Sequence, residues 1–253
     1  MEEFQINGDQ SVVQDQNKTT VKQTSADIIK SKGNVFFGKI MLWMGLGLLV
    51  TFLFGYLYPY IILNTVSFDI AVSVIFITCF VSAIAAFIEV FILMFTVFKK
   101  GGISLVPYLI YSVLIGLALS PILIFNDAQA VLITIGITAG MFILLGIVGI
   151  LFKGRIGFII GGVGVLSIGA LCLALTNLFL GSEMIFWIVS FLLLIITMAY
   201  VVIDVNLIKH TAQYTNQTRN EALYLALILY TDFIRLFIYL LPIVLRILAN
   251  SRR

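Results

Sequence analysis

Seven long apolar segments follow one another along this chain, and only short polar connections separate them. A helix needs about 20 apolar residues to cross a bilayer core of roughly 30 Å. The predicted spans cover residues 36–58, 69–98, 103–125, 128–152, 156–180, 183–208 and 222–248. None of them shows the strict alternation of polar and apolar residues that membrane-spanning strands require. The pattern therefore predicts an all-α, polytopic membrane protein.

Composition agrees with this pattern and excludes several other classes of protein. The 253 residues are 61% apolar and only 11% charged, whereas soluble domains have roughly 45–50% apolar and about 25% charged residues. The net charge is only +3 and the basic residues are scattered, which excludes a nucleic-acid partner. Cys79 and Cys172 lie in apolar runs, where cysteine usually serves as a small packing residue. The lipid bilayer is the predicted partner, and no resident cofactor is expected.

The N-terminal region differs from the rest of the chain. Residues 1–35 are rich in Gln, Asn, Asp, Lys, Ser and Thr and have no apolar periodicity. We interpret them as a mobile, polar cytoplasmic tail, followed by a transmembrane bundle over residues 36–250. A cleaved secretion signal is not expected, because no short apolar core follows the first few residues.

The basic residues predict the orientation of the bundle. They fall in the N-terminal region and in the second, fourth and sixth connections: Lys18, Lys22, Lys30, Lys32, Lys99, Lys100, Lys153, Arg155, Lys209 and Arg219. The first, third and fifth connections have none. Positively charged short loops mark the cytoplasmic side, so the N-terminus is predicted to be cytoplasmic.

The C-terminal end disagrees with this orientation. Seven crossings would place Arg246, Arg252 and Arg253 outside, against the charge rule. We favour seven crossings. The alternative is a last segment that is kinked at Pro242 and does not cross fully, since proline removes a backbone donor.

Glycines at helical spacing predict close contacts between helices. Gly136 and Gly140 share one face of the fourth span, and Gly157 and Gly161 share one face of the fifth. Small residues at this spacing allow two helix backbones to approach closely. We favour packing within the bundle, and a contact between two copies of the chain is the alternative.

Four charged residues lie deep inside the predicted spans, away from their ends: Glu89, Asp204, Asp232 and Arg235. A charge at mid-bilayer costs at least about 2.5–3.5 kcal/mol, so each is a functional candidate. Asp232 and Arg235 are three residues apart and share a helix face. They are a candidate charge pair, although an ion pair that only lowers the insertion cost is the alternative.

Glu89 is a candidate step in an ion pathway, and a helix–helix hydrogen bond is an equally good interpretation. Lys100 is the other possible charge partner in this part of the chain. It lies eleven residues after Glu89, which is about three turns and 16 Å, so the two cannot pair directly.

Asp204 and Asp232 form the most informative pair. They lie on consecutive, antiparallel spans joined by a short polar connection, so both approach the cytoplasmic half of the membrane and can meet. Two buried carboxylates in contact cannot both ionise at low cost, and such pairs share a proton. They also offer the hard oxygen ligands that Ca²⁺ prefers. The pair is therefore a candidate proton sensor, a candidate cation site, or both.

Two segments around these aspartates resemble a known family. The segment VIDVNLIKH (residues 202–210) is similar to the end of the sixth span in Bax inhibitor-1 proteins. The segment ALILYTDFI (residues 226–234) resembles the last-span pattern of that family, Ala-Leu-x-Leu-Tyr-x-Asp-Phe-Ile. The first span also fits, with Lys39 before an apolar run that contains Gly45, Gly47 and Thr51. The resemblance covers roughly residues 36–250 and favours a bacterial member.

The resemblance implies a fold and a function. The fold is a seven-helix bundle in which the last helix is central and is surrounded by the other six. Bacterial members act as pH-sensitive calcium leaks, and eukaryotic relatives suppress cell death and lower calcium in the endoplasmic reticulum. By resemblance, the two-aspartate pH sensor of the family is carried over to Asp204 and Asp232.

The chain departs from the family pattern at three places. Ile203 stands where a tyrosine usually precedes the first aspartate, and Arg235 stands where the family typically has Asn. The basic partner in the second span has no deep equivalent, since only Lys99 and Lys100 end that span. Arg235 is a candidate replacement, and a cation at this position favours ionised carboxylates.

The predicted function is a pH-sensitive leak for Ca²⁺ in a bacterial plasma membrane, with protons and calcium ions as partners. One alternative is a proton-coupled secondary transporter, but Pro107, Pro121 and Pro242 do not form the matched set of broken helices that inverted repeats require. Another is a membrane regulatory protein that acts through protein partners bound by the N-terminal tail. An enzyme is not expected, because Asp232 lacks the Gly-x-Gly-Asp context of intramembrane aspartyl proteases and no His-Glu-x-x-His motif exists.

Overall fold

Seven helices account for the fold of the chain. The computed structural model describes residues 2–152, 156–212 and 217–251. The helices are α1 (Glu2–Thr65), α2 (Phe68–Lys100), α3 (Leu105–Phe125), α4 (Ala128–Leu151), α5 (Ile156–Leu180), α6 (Glu183–Thr211) and α7 (Arg219–Ser251). Each is long and apolar enough to cross a membrane. The prediction of an all-α bundle of seven transmembrane helices is confirmed.

Helix α1 extends far beyond the first predicted span. It begins at Glu2 and continues without a break to Thr65, although its apolar part starts only at Ser31. Nothing in the polar region forces a helix to end, because the first proline of the chain is Pro59. The predicted boundary at residue 35 is therefore a change of composition within one continuous helix, not the start of regular structure.

Helix α7 is the central helix of the bundle. In its apolar segment 56% of the residues are buried, against 44% or fewer in the other spans. It packs against α1, α3, α4 and α6, while α2 packs mainly on α3 and α5 on α6. The last helix is central, as predicted, but four helices rather than six form most of its surroundings.

Aromatic side chains fill the interfaces around α7. Phe237 meets Phe52 of α1 edge to face, with 5.5 Å between ring centroids. Phe233 packs on Phe142 of α4, with 5.7 Å between ring centroids. Such pairs are favourable beyond the area that they bury. Because Phe233 and Phe237 are four residues apart, one face of α7 is packed against both neighbours.

Helix α7 crosses the full length of the bundle. At its start, the Arg219 guanidinium lies 5.1 Å from the centre of the Trp43 ring of α1. Near its end, Arg246 lies 4.3 Å from the centre of the Trp187 ring and 3.7 Å from the Glu183 carboxylate, both at the start of α6. Pro242 lies inside the helix and does not end it. This geometry agrees with seven crossings, and Glu183 partly neutralises one of the C-terminal basic residues.

The glycines that allow close packing are not those that the sequence indicated. A Cβ atom added at Gly136, Gly140, Gly157 or Gly161 would meet nothing within 4 Å in the described part of the chain. The prediction of packing within the bundle at these positions is wrong. Spacing showed that the four glycines form two pairs on shared faces, but it could not show which way those faces point.

The close contacts occur at other glycines. A Cβ at Gly116 of α3 would lie 2.5 Å from the Thr51 carbonyl oxygen of α1, and one at Gly55 would lie 2.9 Å from the Gly116 carbonyl oxygen. At Gly149 of α4 it would lie 2.8 Å from the Val202 carbonyl oxygen of α6. These neighbours are backbone atoms, so a larger side chain would push whole helices apart.

We expect Gly116→Ala to destabilise the bundle, because the added methyl group must separate α1 from α3. Overpacking of this kind typically costs 1–3 kcal/mol. The matched control is Gly136→Ala, where the methyl group enters open space. Thermal unfolding in detergent, followed by tryptophan fluorescence, should show a lower midpoint for Gly116→Ala only. Equal midpoints would contradict the proposed contact.

Candidate functional site

The structure brings Asp204 and Asp232 together between α6 and α7. The two helices are antiparallel neighbours, and the two carboxyl groups lie within hydrogen-bonding reach of each other. Asp232 is 2% exposed, whereas Asp204 is only partly buried. One carboxyl group is therefore enclosed in the bundle, and the other lies nearer its surface.

Arg235 supplies a cation beside this pair. Its Nη1 atom lies 3.8 Å from Asp232 Oδ1, and its side chain is 52% exposed. The other oxygen of Asp232, Oδ2, is buried and has no hydrogen-bond partner among the described residues. Only a protonated carboxyl group can donate a hydrogen bond to another carboxylate. A single proton shared between Asp204 and Asp232 would therefore supply such a bond across the α6–α7 interface.

Further polar side chains surround the carboxyl pair from α2 and α3. The Tyr111 hydroxyl of α3 lies near the side chain of Thr231, which itself donates to the Leu227 carbonyl. In any bond between these two hydroxyl groups, Tyr111 is therefore the donor. It also lies within electrostatic range of Glu89 and Arg235. Four helices thus contribute to one polar cluster inside the bundle.

Glu89 occupies the α2 side of this cluster. Its Oε2 atom is buried and has no hydrogen-bond partner among the described residues. The helix–helix hydrogen bond considered for Glu89 is therefore not made by this oxygen. Lys100 ends α2, and its side chain lies outside the part of the chain that the structure describes.

One stripe of α7 is left uncovered beside the cluster. Ile228, Thr231, Arg235 and Ile238 follow each other at spacings of three and four residues and are partly or largely exposed. The flanking helices α3 and α6 both contact α7 but share no packed interface in the described residues. Arg235 is therefore accessible from the side of the bundle.

A second polar network fixes the rotation of α7. The Tyr230 and Thr51 hydroxyl oxygens are 2.5 Å apart, and Thr51 donates to the Ser112 carbonyl at 2.9 Å. Thr51 has one hydroxyl proton, so Tyr230 is the donor in the first bond. The Tyr230 ring also meets those of Tyr108 and Tyr111 edge to face. This network ties α7 to α1 and α3 two residues before Asp232.

Two residues just after Asp204 hold α6 against α4. Asn206 Nδ2 donates to the Gly149 and Phe152 carbonyls, both at 2.7 Å. Lys209 Nζ donates to the Ile150 carbonyl at 2.9 Å. The last carbonyls of a helix have no partner within it, so both side chains cap α4. Asn206 was not among the residues predicted from the sequence, although an amide within an apolar run indicates a buried hydrogen-bond partner.

The cluster does not form a complete cage for a metal ion. The described residues contain no group of three or more His, Cys, Asp or Glu side chains that could hold one. Asp204 and Asp232 supply two carboxyl groups, whereas Ca²⁺ takes six to eight oxygen ligands. An ion at this pair would therefore keep much of its water.

The bundle and its buried carboxyl pair define an integral, multi-pass helical membrane protein. A sequence model of the family described as inhibitor of apoptosis-promoting Bax1 matches residues 33–253. The chain is also 32% identical over 214 residues to an uncharacterized membrane protein of Streptococcus pyogenes serotype M1, covering 83% of this chain and 92% of that protein. The protein therefore belongs to the Bax inhibitor-1 family.

A second relative comes from another bacterium. The inner membrane protein YbhL of Escherichia coli strain K12 is 30% identical over 158 residues, which is 60% of this chain and 66% of YbhL. Both relatives are bacterial membrane proteins, and neither name assigns a reaction or a transported ion.

We expect Asn206→Ala to loosen α6 from α4, because two buried carbonyl groups lose their donor. Leaving such groups unsatisfied costs about 1–3 kcal/mol. Asn220→Ala is the control, since the Asn220 side chain is exposed. Thermal unfolding in detergent should show a lower midpoint for Asn206→Ala alone. If the two variants unfold together, the caps do not hold the helices in place.

Proposed function

We propose that this protein is a pH-sensitive leak for Ca²⁺ in a bacterial plasma membrane, with its N-terminus in the cytoplasm. Protonation of the Asp204–Asp232 pair gates the leak. The observation that carries the proposal is the contact of these carboxyl groups across the α6–α7 interface, where Asp232 is almost fully buried. Membership of the Bax inhibitor-1 family supports it.

The charges of the cluster provide a simple switch. With one proton shared, the aspartate pair has a charge of −1, which the neighbouring Arg235 balances. In this state a charge-assisted hydrogen bond joins α6 to α7, and such bonds are stronger than neutral ones. A second proton removes the charge of the pair, so both that bond and the attraction of Arg235 for Asp232 weaken. Acid therefore releases α7 from α6 and opens the leak.

The uncovered stripe of α7 provides the route. It brings Arg235 to the side of the bundle, next to the partly exposed Asp204. Glu89 adds a third carboxyl group, with one oxygen that has no partner among the described residues. A hydrated Ca²⁺ ion moving along this stripe would exchange some of its water for these oxygens. Calcium is the transported ion in this mechanism and not a structural cofactor.

We expect wild-type protein in liposomes to pass Ca²⁺ faster as the pH falls from about 8.5 to 5.5. Buried carboxyl groups in proteins commonly change protonation within this range of pH. Asp204→Asn combined with Asp232→Asn should abolish this pH dependence, because neither amide can gain a proton, whereas each single variant keeps one carboxyl group that still can. Flux is measured with an indicator dye inside the liposomes. Asp69→Asn is the matched control, since Asp69 is exposed in the first turn of α2. Flux equal to that of empty liposomes at every pH would overturn the proposal.

Replacement of Arg235 tests the electrostatic part of the mechanism. The guanidinium favours the ionised pair, so Arg235→Gln makes the second protonation easier. The midpoint of acid activation should therefore move to higher pH. Arg246→Gln removes the same charge at the far end of α7, beside Glu183, and should leave the midpoint unchanged. A midpoint that stays fixed in Arg235→Gln would refute the role of this cation.

A further inference from the structure

A cavity lies at the end of the bundle where α7 begins, away from the aspartate pair. Its volume is about 580 Å³, and its lining includes Lys39, Leu42, Trp43, Leu46, Thr218 and Arg219. The four residues from α1 are spaced at i, i+3, i+4 and i+7, so they share one face of that helix. The cavity is therefore a groove between one face of α1 and the first turn of α7.

The polar end of this groove is positively charged. Lys39 and Arg219 are both exposed, and neither forms an ion pair among the described residues. Arg219 is held over the Trp43 ring at 5.1 Å, a cation–π geometry that orients a guanidinium without neutralising it. The nearby Glu221 carboxylate accepts a hydrogen bond at 3.0 Å from the Thr218 backbone amide, so it is engaged in capping α7.

The opposite end of the bundle has a similar arginine but no free charge. Arg246 lies 4.3 Å from the centre of the Trp187 ring, as Arg219 does over Trp43 at 5.1 Å. However, Arg246 also has the Glu183 carboxylate at 3.7 Å. Only the groove at the start of α7 combines an aromatic ring with two cations that lack a carboxylate partner in the described residues.

The rest of the groove is apolar and faces the bilayer. Leu42 is 75% exposed and Leu46 is 39% exposed. They follow Lys39 along α1 toward the membrane interior, and Leu46 lies about 10 Å beyond it along the helix axis. Tryptophan at this level is typical of the membrane–water interface. A ligand here would thus meet positive charge at its head and a hydrocarbon-like wall beneath it.

We propose that this groove binds an anionic phospholipid. The phosphate lies between Lys39 and Arg219, and an acyl chain follows Leu42 and Leu46. Basic pockets between transmembrane helices recognise lipid headgroups in this way. A free phosphate ion would use the two cations but would leave the exposed leucines without a role. The proposal is independent of the calcium leak, because none of these residues belongs to the aspartate cluster.

Trp43 reports directly on the lipid beside it. The chain has two tryptophans, so Trp187→Phe leaves Trp43 as the single fluorophore of the full-length protein. The protein is placed in phosphatidylcholine vesicles that contain brominated phosphatidylglycerol or, separately, brominated phosphatidylcholine. We expect Trp43 to be quenched more strongly by the anionic lipid. Each of the two cations should contribute a factor of about five to the preference for anionic lipid over phosphatidylcholine.

The preference should fall to about one when Lys39→Gln and Arg219→Gln are combined. It should persist in Lys39→Arg with Arg219→Lys, which keeps both charges. It should also persist when Lys99→Gln and Arg246→Gln remove two cations elsewhere. In a Trp43→Phe chain, Trp187 should show no preference, because Arg246 is already paired with Glu183.

Two results would overturn the proposal. One is the absence of a preference that depends on the two cations: Trp43 is quenched equally by both lipids, or its preference survives loss of Lys39 and Arg219. The other is displacement of the brominated anionic lipid by millimolar inorganic phosphate at constant ionic strength, which would identify the groove as a site for a free anion. The ionic strength is held constant because salt alone screens exposed charges.

Discussion

Hydrocarbon cannot hydrogen-bond, so each polar group that α7 carries into the bilayer must find a partner within the bundle. Three consecutive residues of α7 direct their polar groups toward three different helices. Tyr230 is hydrogen-bonded to Thr51 of α1, Thr231 lies beside the Tyr111 hydroxyl of α3, and Asp232 lies beside Asp204 of α6. A helix whose polar side chains point toward three neighbours has to stand between them. The central position of α7 therefore follows from a short run of its own sequence, and the other helices are arranged around that run.

These polar contacts differ in how completely they are satisfied. The Tyr230–Thr51–Ser112 chain uses each hydroxyl proton, and Asn206 and Lys209 close the end of α4. By contrast, Glu89 Oε2 and Asp232 Oδ2 have no partner among the described residues. A buried polar group that lacks a partner costs free energy in a low-dielectric interior. Binding a proton or an ion at the carboxyl cluster would recover part of that free energy. The satisfied networks fix the packing of the helices, whereas the carboxyl cluster keeps buried oxygens without a partner among the described residues.

The sequence predicted the positions of the helices better than it predicted which face of each helix packs against a neighbour. Runs of apolar residues identified all seven spans, and the antiparallel order of the last two brought Asp204 and Asp232 to the same interface. The spacing of the glycines did not reveal which helix faces touch. Gly136 and Gly116 are equally small, but only Gly116 lies against a neighbouring backbone, because helix rotation depends on the whole bundle. Tyr111 was missed for a related reason, since one tyrosine in an apolar span is ordinary until its hydroxyl is placed beside Thr231. The length of α1 was missed because polar residues are compatible with an exposed helix as well as with a tail.

Arg235 also affects the lipid around the protein. It follows the start of α7 by 16 residues, about 24 Å along the helix axis, and half of its side chain is exposed. Lipid beside such a guanidinium responds by local thinning and by drawing water and headgroups inward. In the described part of the chain, the stripe where α3 and α6 do not meet is where such a deformation would arise. Its cost rises with the thickness of the bilayer, so acyl-chain length is a physical variable that acts on Arg235 and, through it, on the Asp232 carboxylate 3.8 Å away.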